Sequence, residues 1–279
     1  MFKVKGRYVV AWWLLPLIYL PGLGFIYSFI SSDAQWYWYN ISYYLYFQLS
    51  WLLLLISLLI FNKVDWKKMV SKPDYSDLSP ALKLTTFTFF FSLLSSYIIF
   101  LPLSYVVPEF VQFWFINIPD IIYGDENGYP WLPNLLNLIS LVILAPIIEE
   151  IAFRGMLLHR WAEKWNLTVA ILVSSLIFGL LHPDSVGAAA FGIAMCIIYL
   201  KTQTLIIPII CHALYNFICW IWAIVYEIQN GPNHRYTMDE FRNEWFLMSL
   251  SLLVVSAWVY KYVNSKSSVG ALRLPLLDN

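Results

Sequence analysis

Residues 146–155 read PIIEEIAFRG and place Glu149, Glu150 and Arg154 in a run, 138–158, that is otherwise largely apolar. A charge at the centre of a membrane helix costs about 2.5–3.5 kcal/mol, whereas each Leu, Ile, Phe or Val returns only about 0.3–0.6. Three charges thus cost roughly 8–10 kcal/mol, more than the apolar residues of the run supply. The rest of the chain shows that the bilayer is the right reference. Of 279 residues, 60% are hydrophobic, 19% aromatic and 12% charged, against about 25% charged in soluble domains. This composition belongs to an integral membrane protein, and a formal net charge of zero gives no footprint for nucleic acid.

Working outward, a bilayer core of about 30 Å needs about 20 apolar residues in helix. Eight segments qualify, near 8–30, 41–61, 84–107, 135–158, 167–182, 185–200, 205–227 and 244–263. The first follows Lys3, Lys5 and Arg7, yet it is too long for a signal peptide and has no cleavage pattern. The fifth and sixth are the shortest and are joined only by HPDS, so they read as a hairpin with its turn at membrane depth. Irregular backbone there must be buried in protein or line a wet cavity.

Charge tests the count. Fourteen of the seventeen basic residues fall at the N-terminus, in alternate loops (Lys63, Lys67, Lys68, Lys72, Lys83; Arg160, Lys164; Lys201) and in the tail. The stretch 108–134 has four acids and no Lys or Arg, and only the loop before the last segment is mixed. By the positive-inside rule both termini are cytoplasmic. The expected fold is all-α and polytopic, with about eight transmembrane helices. Its parts are helices 1–3 with an outer loop (1–134), a helical core (135–227), and a loop, last helix and tail (228–279). Loop 108–134 is expected along the outer interface. Cys196, Cys211 and Cys219 lie in apolar runs without ligand spacing and read as small buried hydrophobes.

Glu150 and Arg154 are at i,i+4, about 40° apart on a helix, in the favoured order for a pair. Glu149 points about 100° from Glu150 and has no partner on its own helix. An unpaired intramembrane carboxylate is a functional candidate by default. Counted from the span ends at about 1.5 Å per residue, three other polar side chains reach its depth: His182 at the hairpin turn, and His212 with Asn216 at i,i+4. Each has a plainer reading as an interhelical hydrogen-bonding residue. His159 and His234, at or beyond span ends, read as solvated. Pro146, Pro183 and Pro208 stand close to Glu149, His182 and His212, where a mid-helix proline bends the helix and opens space.

EEIAFRG fits E-E-x-x-x-R, FGLLH fits F-x-x-x-H, and HALYN fits H-x-x-x-N, on three separate spans in that order. Together they resemble the CPBP family of intramembrane proteases, which includes eukaryotic CAAX prenyl endopeptidases and bacterial bacteriocin-processing or self-immunity (Abi-like) members. The resemblance covers about 135–220 and carries over onto Glu149, Glu150, Arg154, Phe178, His182, His212 and Asn216. It implies a conical intramembrane cavity and hydrolysis of a peptide, lipidated or leader, at the membrane. The membrane would be the cytoplasmic one in a prokaryote and that of the endoplasmic reticulum in a eukaryote.

Within that resemblance two mechanisms stand open. In the metal-free version Glu149 and His182 hold and deprotonate a water, and His212 and Asn216 donate to the oxyanion, with Glu150 and Arg154 shaping the site. In the metal version Glu149, His182 and His212 ligate zinc, a plausible oxygen and nitrogen donor set. No HExxH-like helix is present, which favours the first. Access is expected from the cytoplasmic half. A proton-coupled carrier is the alternative, against which stands the lack of an inverted repeat. A silent immunity or scaffold protein is another, against which stand the intact motifs.

Overall fold

The computed structural model describes residues 36–61, 64–232, 234–264 and 274–275. Among them the chain is helical, with seven principal helices: α1 (Trp36–Phe61), α2 (Leu78–Val106), α3 (Trp131–Lys164), α4 (Leu167–Leu180), α5 (Ser185–Thr202), α6 (Ile206–Asn230) and α7 (Trp245–Asn264). Each of the seven expected segments in this range is a helix; the expected first, 8–30, lies outside the described residues. Six are long and apolar enough to cross a bilayer. The exception is α4, whose 14 residues span roughly 21 Å at 1.5 Å per residue.

Helix α5 is the most buried of the spans and packs most extensively on α4 and α2, while α4 turns Leu172, Leu176 and Leu180 outward. Small residues allow this. A Cβ on Gly179 would lie 2.3 Å from the carbonyl oxygen of Ser185, and one on Gly192 would lie 3.0 Å from Cα of Ser175. In lipid, where helices gain nothing by hiding from water, such close approach is the main source of association. The turn between α4 and α5 is pinned from two sides. Asp184 caps α5 by accepting from the amide of Gly187 at 3.1 Å, and Ser92 and Ser95 of α2 donate to its carboxylate. Trp114 donates from Nε1 to the carbonyl of Pro183 at 3.0 Å.

Helix α3 is not a uniform α-helix. It widens into π turns at Ser140–Leu144 and Ile151–Leu157, on either side of the Glu149–Glu150 pair. Simple 3.6-residue periodicity does not anticipate these. Interruptions of this kind shift the face by one residue and cluster at functional sites. Polar clamps hold α3 against α1, where Ser140 Oγ donates to Oε1 of Gln48 at 2.8 Å and Gln48 returns a bond to the Ser140 carbonyl.

Loop 108–134 does more than lie along an interface. It forms a short helix, Pro108–Val111, then the π turn Gln112–Ile116. Val111 and Ile116 bury against Tyr97, Phe100, Phe241 and Leu247 in a small apolar cluster. Two further expectations need correction. His159 is buried, not solvated, with Nε2 2.9 Å from the Tyr199 hydroxyl, because α3 continues to Lys164 and its last turns pack on α4 and α5. Pro208 lies in the first turn of α6, where its missing N–H breaks no helical bond, so it makes no mid-helix bend there. His234 is half-exposed and pairs with Glu240 at 2.8 Å. Cys196 and Cys211 are buried thiols, and Cys219 is partly buried.

Candidate active site

Helix α3 supplies the charged cluster. Glu150 is wholly buried and Arg154 nearly so; Nη1 of Arg154 donates to Oε1 of Glu150 at 2.8 Å. Nη2 donates to the carbonyl of Gly192 on α5 at 3.0 Å, and the group lies 4.9 Å from the centroid of the Phe178 ring, while the buried Nε has no hydrogen-bond partner among the described residues. Arg154 therefore ties α3 to α4 and α5 through a salt bridge, a backbone bond and a cation–π contact. Gly192 has no Cβ to meet Ser175, so α5 lies close against α4 at this level.

His212 of α6 stands between the two glutamates. Its Nδ1 lies 2.9 Å from Oε1 of Glu150, and its Nε2 lies 3.7 Å from Oε2 of Glu149. A carboxylate already accepting from Arg154 can only accept again, so Nδ1 carries a proton. When singly protonated, His212 thus presents a bare Nε2; only with both nitrogens protonated does it donate from that side. The ring is held by Phe178 and Phe191, whose centroids lie 6.0 and 4.9 Å away. Glu149 is partly exposed, and its buried Oε2 has no hydrogen-bond partner among the described residues.

His182 stacks on Phe178 at 4.5 Å and places Nδ1 2.7 Å from the carbonyl of that residue. A carbonyl only accepts, so Nδ1 donates and the neutral ring offers a lone pair at Nε2. His182 lies in the turn just past α4, where its amide bonds the Gly179 carbonyl, so the chain is still coiled enough to set the imidazole over Phe178 four residues back.

Asn216 is positioned through Pro146. In the π turn of α3 the amide of Ala145 bonds the carbonyl of Ser140, five residues back. In that register the next donor would serve Leu141, but it is Pro146, which has no N–H. Asn216 Nδ2 supplies the bond instead, at 2.8 Å, across to α6. The second amide hydrogen is not needed for this contact.

These groups meet at a cavity of about 930 Å³, lined by Phe178, His182, Phe191, His212 and Asn216 among others. Glu149 is not part of the lining and adjoins it through His212. Phe191, Gly192 and the Leu141 carbonyl shape the site without having stood out in the sequence. An aromatic, a glycine and a backbone oxygen carry no chemical signature by themselves, although the GAAAFG run does mark a close-packed helix face. The proposed zinc set does not assemble. Among the described residues no three His, Cys, Asp or Glu side chains converge as metal ligands.

Residues 130–218 match the family described as type II CAAX prenyl endopeptidase Rce1-like. The match is confined to this segment, about a third of the chain. The chain is also 36% identical over 77 residues to a Bacillus subtilis (strain 168) protein named "Putative membrane peptidase YdiL". That match takes in 26% of this chain and 32% of the relative, so the chain spans about a third of the length of the curated relative it matches. No solved structure matches. The matched region holds every motif residue from Glu149 to Asn216, and the helices around it are those of a polytopic membrane protein.

Proposed function

We propose that the chain is an intramembrane endopeptidase that hydrolyses a peptide bond of a membrane-associated substrate with a water activated by Glu149. The observation that carries this reading is the position of His212, between Glu149 and Glu150 at the floor of a cavity that also takes in His182 and Asn216. In water such a constellation would be solvated and weak. In a low-dielectric cavity fixed hydrogen-bond donors count for more.

In the proposed cycle the carboxylate of Glu149 takes a proton from water as the oxygen attacks the scissile carbonyl, with His182 accepting from the same water at Nε2. The oxyanion receives hydrogen bonds from the free Nδ2 hydrogen of Asn216 and from Nε2–H of doubly protonated His212. Nδ1 keeps its bond to Glu150 throughout. Glu149 then returns its proton to the leaving amine, which closes the proton balance. The 3.7 Å separation of Glu149 and His212 is wide for a hydrogen bond, as catalytic contacts often are without substrate.

The test is cleavage of candidate leader and lipidated peptides by purified protein in detergent, comparing wild type with Glu149→Ala, with and without a chelator. Cleavage that persists in Glu149→Ala contradicts the assigned role. Loss of cleavage to chelator that zinc restores contradicts the metal-free form.

A further inference from the structure

The cavity is one-sided. On α1 it is lined only near the first turns, by Asn40 and Tyr44; on α4 only at the far end, by Phe178 and His182. On α5 the lining ends at Phe191, in the first half of the helix, and on α6 it begins at His212 and continues out to Glu227. Phe89 to Tyr97 in the middle of α2, residues 115–122 and part of 234–247 complete the wall. Loops 64–77, 165–166 and 203–205 contribute nothing to it.

The opposite half of the bundle is closed. Met69, Leu158, Tyr199, Leu205 and Ile207 are at most 1% exposed there and belong to one apolar core. The basic loops are fastened over it: the amide of Leu205 donates to the carbonyl of Met69, and Thr204 Oγ1 to the carbonyl of Ser71, each at 2.8 Å. Among the described residues the cavity therefore opens at the end that carries loop 108–134.

Among the described residues that end has no lysine. Lys67, Lys68, Lys72, Arg160, Lys164 and Lys201 all lie at the sealed end, whereas the lining has Asp120, Glu227 and Glu244 with Arg235. Basic loops stay in the cytoplasm because they translocate poorly. Combining the two, we propose that the site opens away from the cytoplasm and takes a peptide segment presented on the extracytoplasmic face. This reverses the access expected from sequence and excludes a lipidated tail displayed on the cytoplasmic face as substrate. The substrate part rests on the protease reading; the sidedness does not.

The experiment uses full-length protein in a bacterial host, with single cysteines at Asp120→Cys (mouth), Ala223→Cys (cavity wall) and Lys67→Cys (basic loop). Membrane-impermeant maleimide is applied to right-side-out and inside-out vesicles, with the native-cysteine signal subtracted. The expected result is labelling of Asp120→Cys and Ala223→Cys in right-side-out vesicles and its loss in inside-out ones, with Lys67→Cys reversed. Labelling of Asp120→Cys or Ala223→Cys from the inside-out face overturns the proposal. A second arm adds peptide to one side of oriented proteoliposomes, and cleavage from the Lys67 side would likewise overturn it. Failure of the protease reading would show separately, as no cleavage in detergent with the labelling pattern intact.

Discussion

Arg154→Met is the most revealing change to the buried charges. Arg154 is 1% exposed, and the substitution keeps much of its volume while removing the 2.8 Å bond to Glu150 and the 3.0 Å bond to the Gly192 carbonyl. It leaves Glu150 as a buried carboxylate whose other close partner is His212. Breaking a buried pair from one side costs about 3–5 kcal/mol, because the remaining charge stays desolvated. At 1.4 kcal/mol per tenfold, that is a loss of about two to three orders of magnitude in the folding equilibrium. The assay is reversible unfolding in mixed micelles by increasing denaturing detergent, followed by helicity and tryptophan fluorescence. The double variant Glu150→Gln/Arg154→Met removes both charges and is expected to recover most of the loss, a coupling that a double-mutant cycle measures. Unfolding of Arg154→Met at the wild-type midpoint would refute the view that this pair is structural, and so would a double variant no better than the single one.

Other changes probe other links. Asn216→Ala removes both the Leu141 bond and the proposed oxyanion donor; membrane double-mutant cycles put such interhelical bonds near 0.6 kcal/mol, whereas losing an oxyanion donor costs about 10²–10³ in kcat, so kcat should fall far more than stability. Gly179→Val drives a side chain into the Ser185 carbonyl and should cost at least the roughly 1–3 kcal/mol of overpacking, read in the same unfolding assay. Thr237→Ala deletes the capping box with Glu240 at the start of Met238–Asn243; a cost of about 1 kcal/mol should appear as faster amide exchange confined to that helix.

Which parts of this molecule could be read from sequence follows from what each signal measures. Hydropathy measures burial over whole turns, so it located α1 to α7, and the E-E-x-x-x-R, F-x-x-x-H and H-x-x-x-N spacings, being helical, gave the pairs Glu150–Arg154, Phe178–His182 and His212–Asn216. Spacing is blind to register shifts, so the π turns on both sides of Glu149 stayed hidden, and with them the role of Pro146 in directing Asn216 to Leu141. Reading span ends from charge placed His159 in water, although the helix continues to Lys164 and buries it. Apolar periodicity also does not tell which half of a bundle is solid. The packed half around Tyr199 and the open half around Asn216 have similar hydropathy, and only the contacts separate them.

The account rests on Glu149, the one charge of the three not engaged in the buried pair. The most direct test is single-turnover cleavage of a peptide substrate by Glu149→Gln beside wild type, with the unfolding midpoint of both measured in the same detergent. Loss of general acid–base chemistry is worth about 10²–10⁴ in rate, so the account predicts a drop of at least about a hundredfold at an unchanged midpoint. Cleavage by folded Glu149→Gln at the wild-type rate would contradict it.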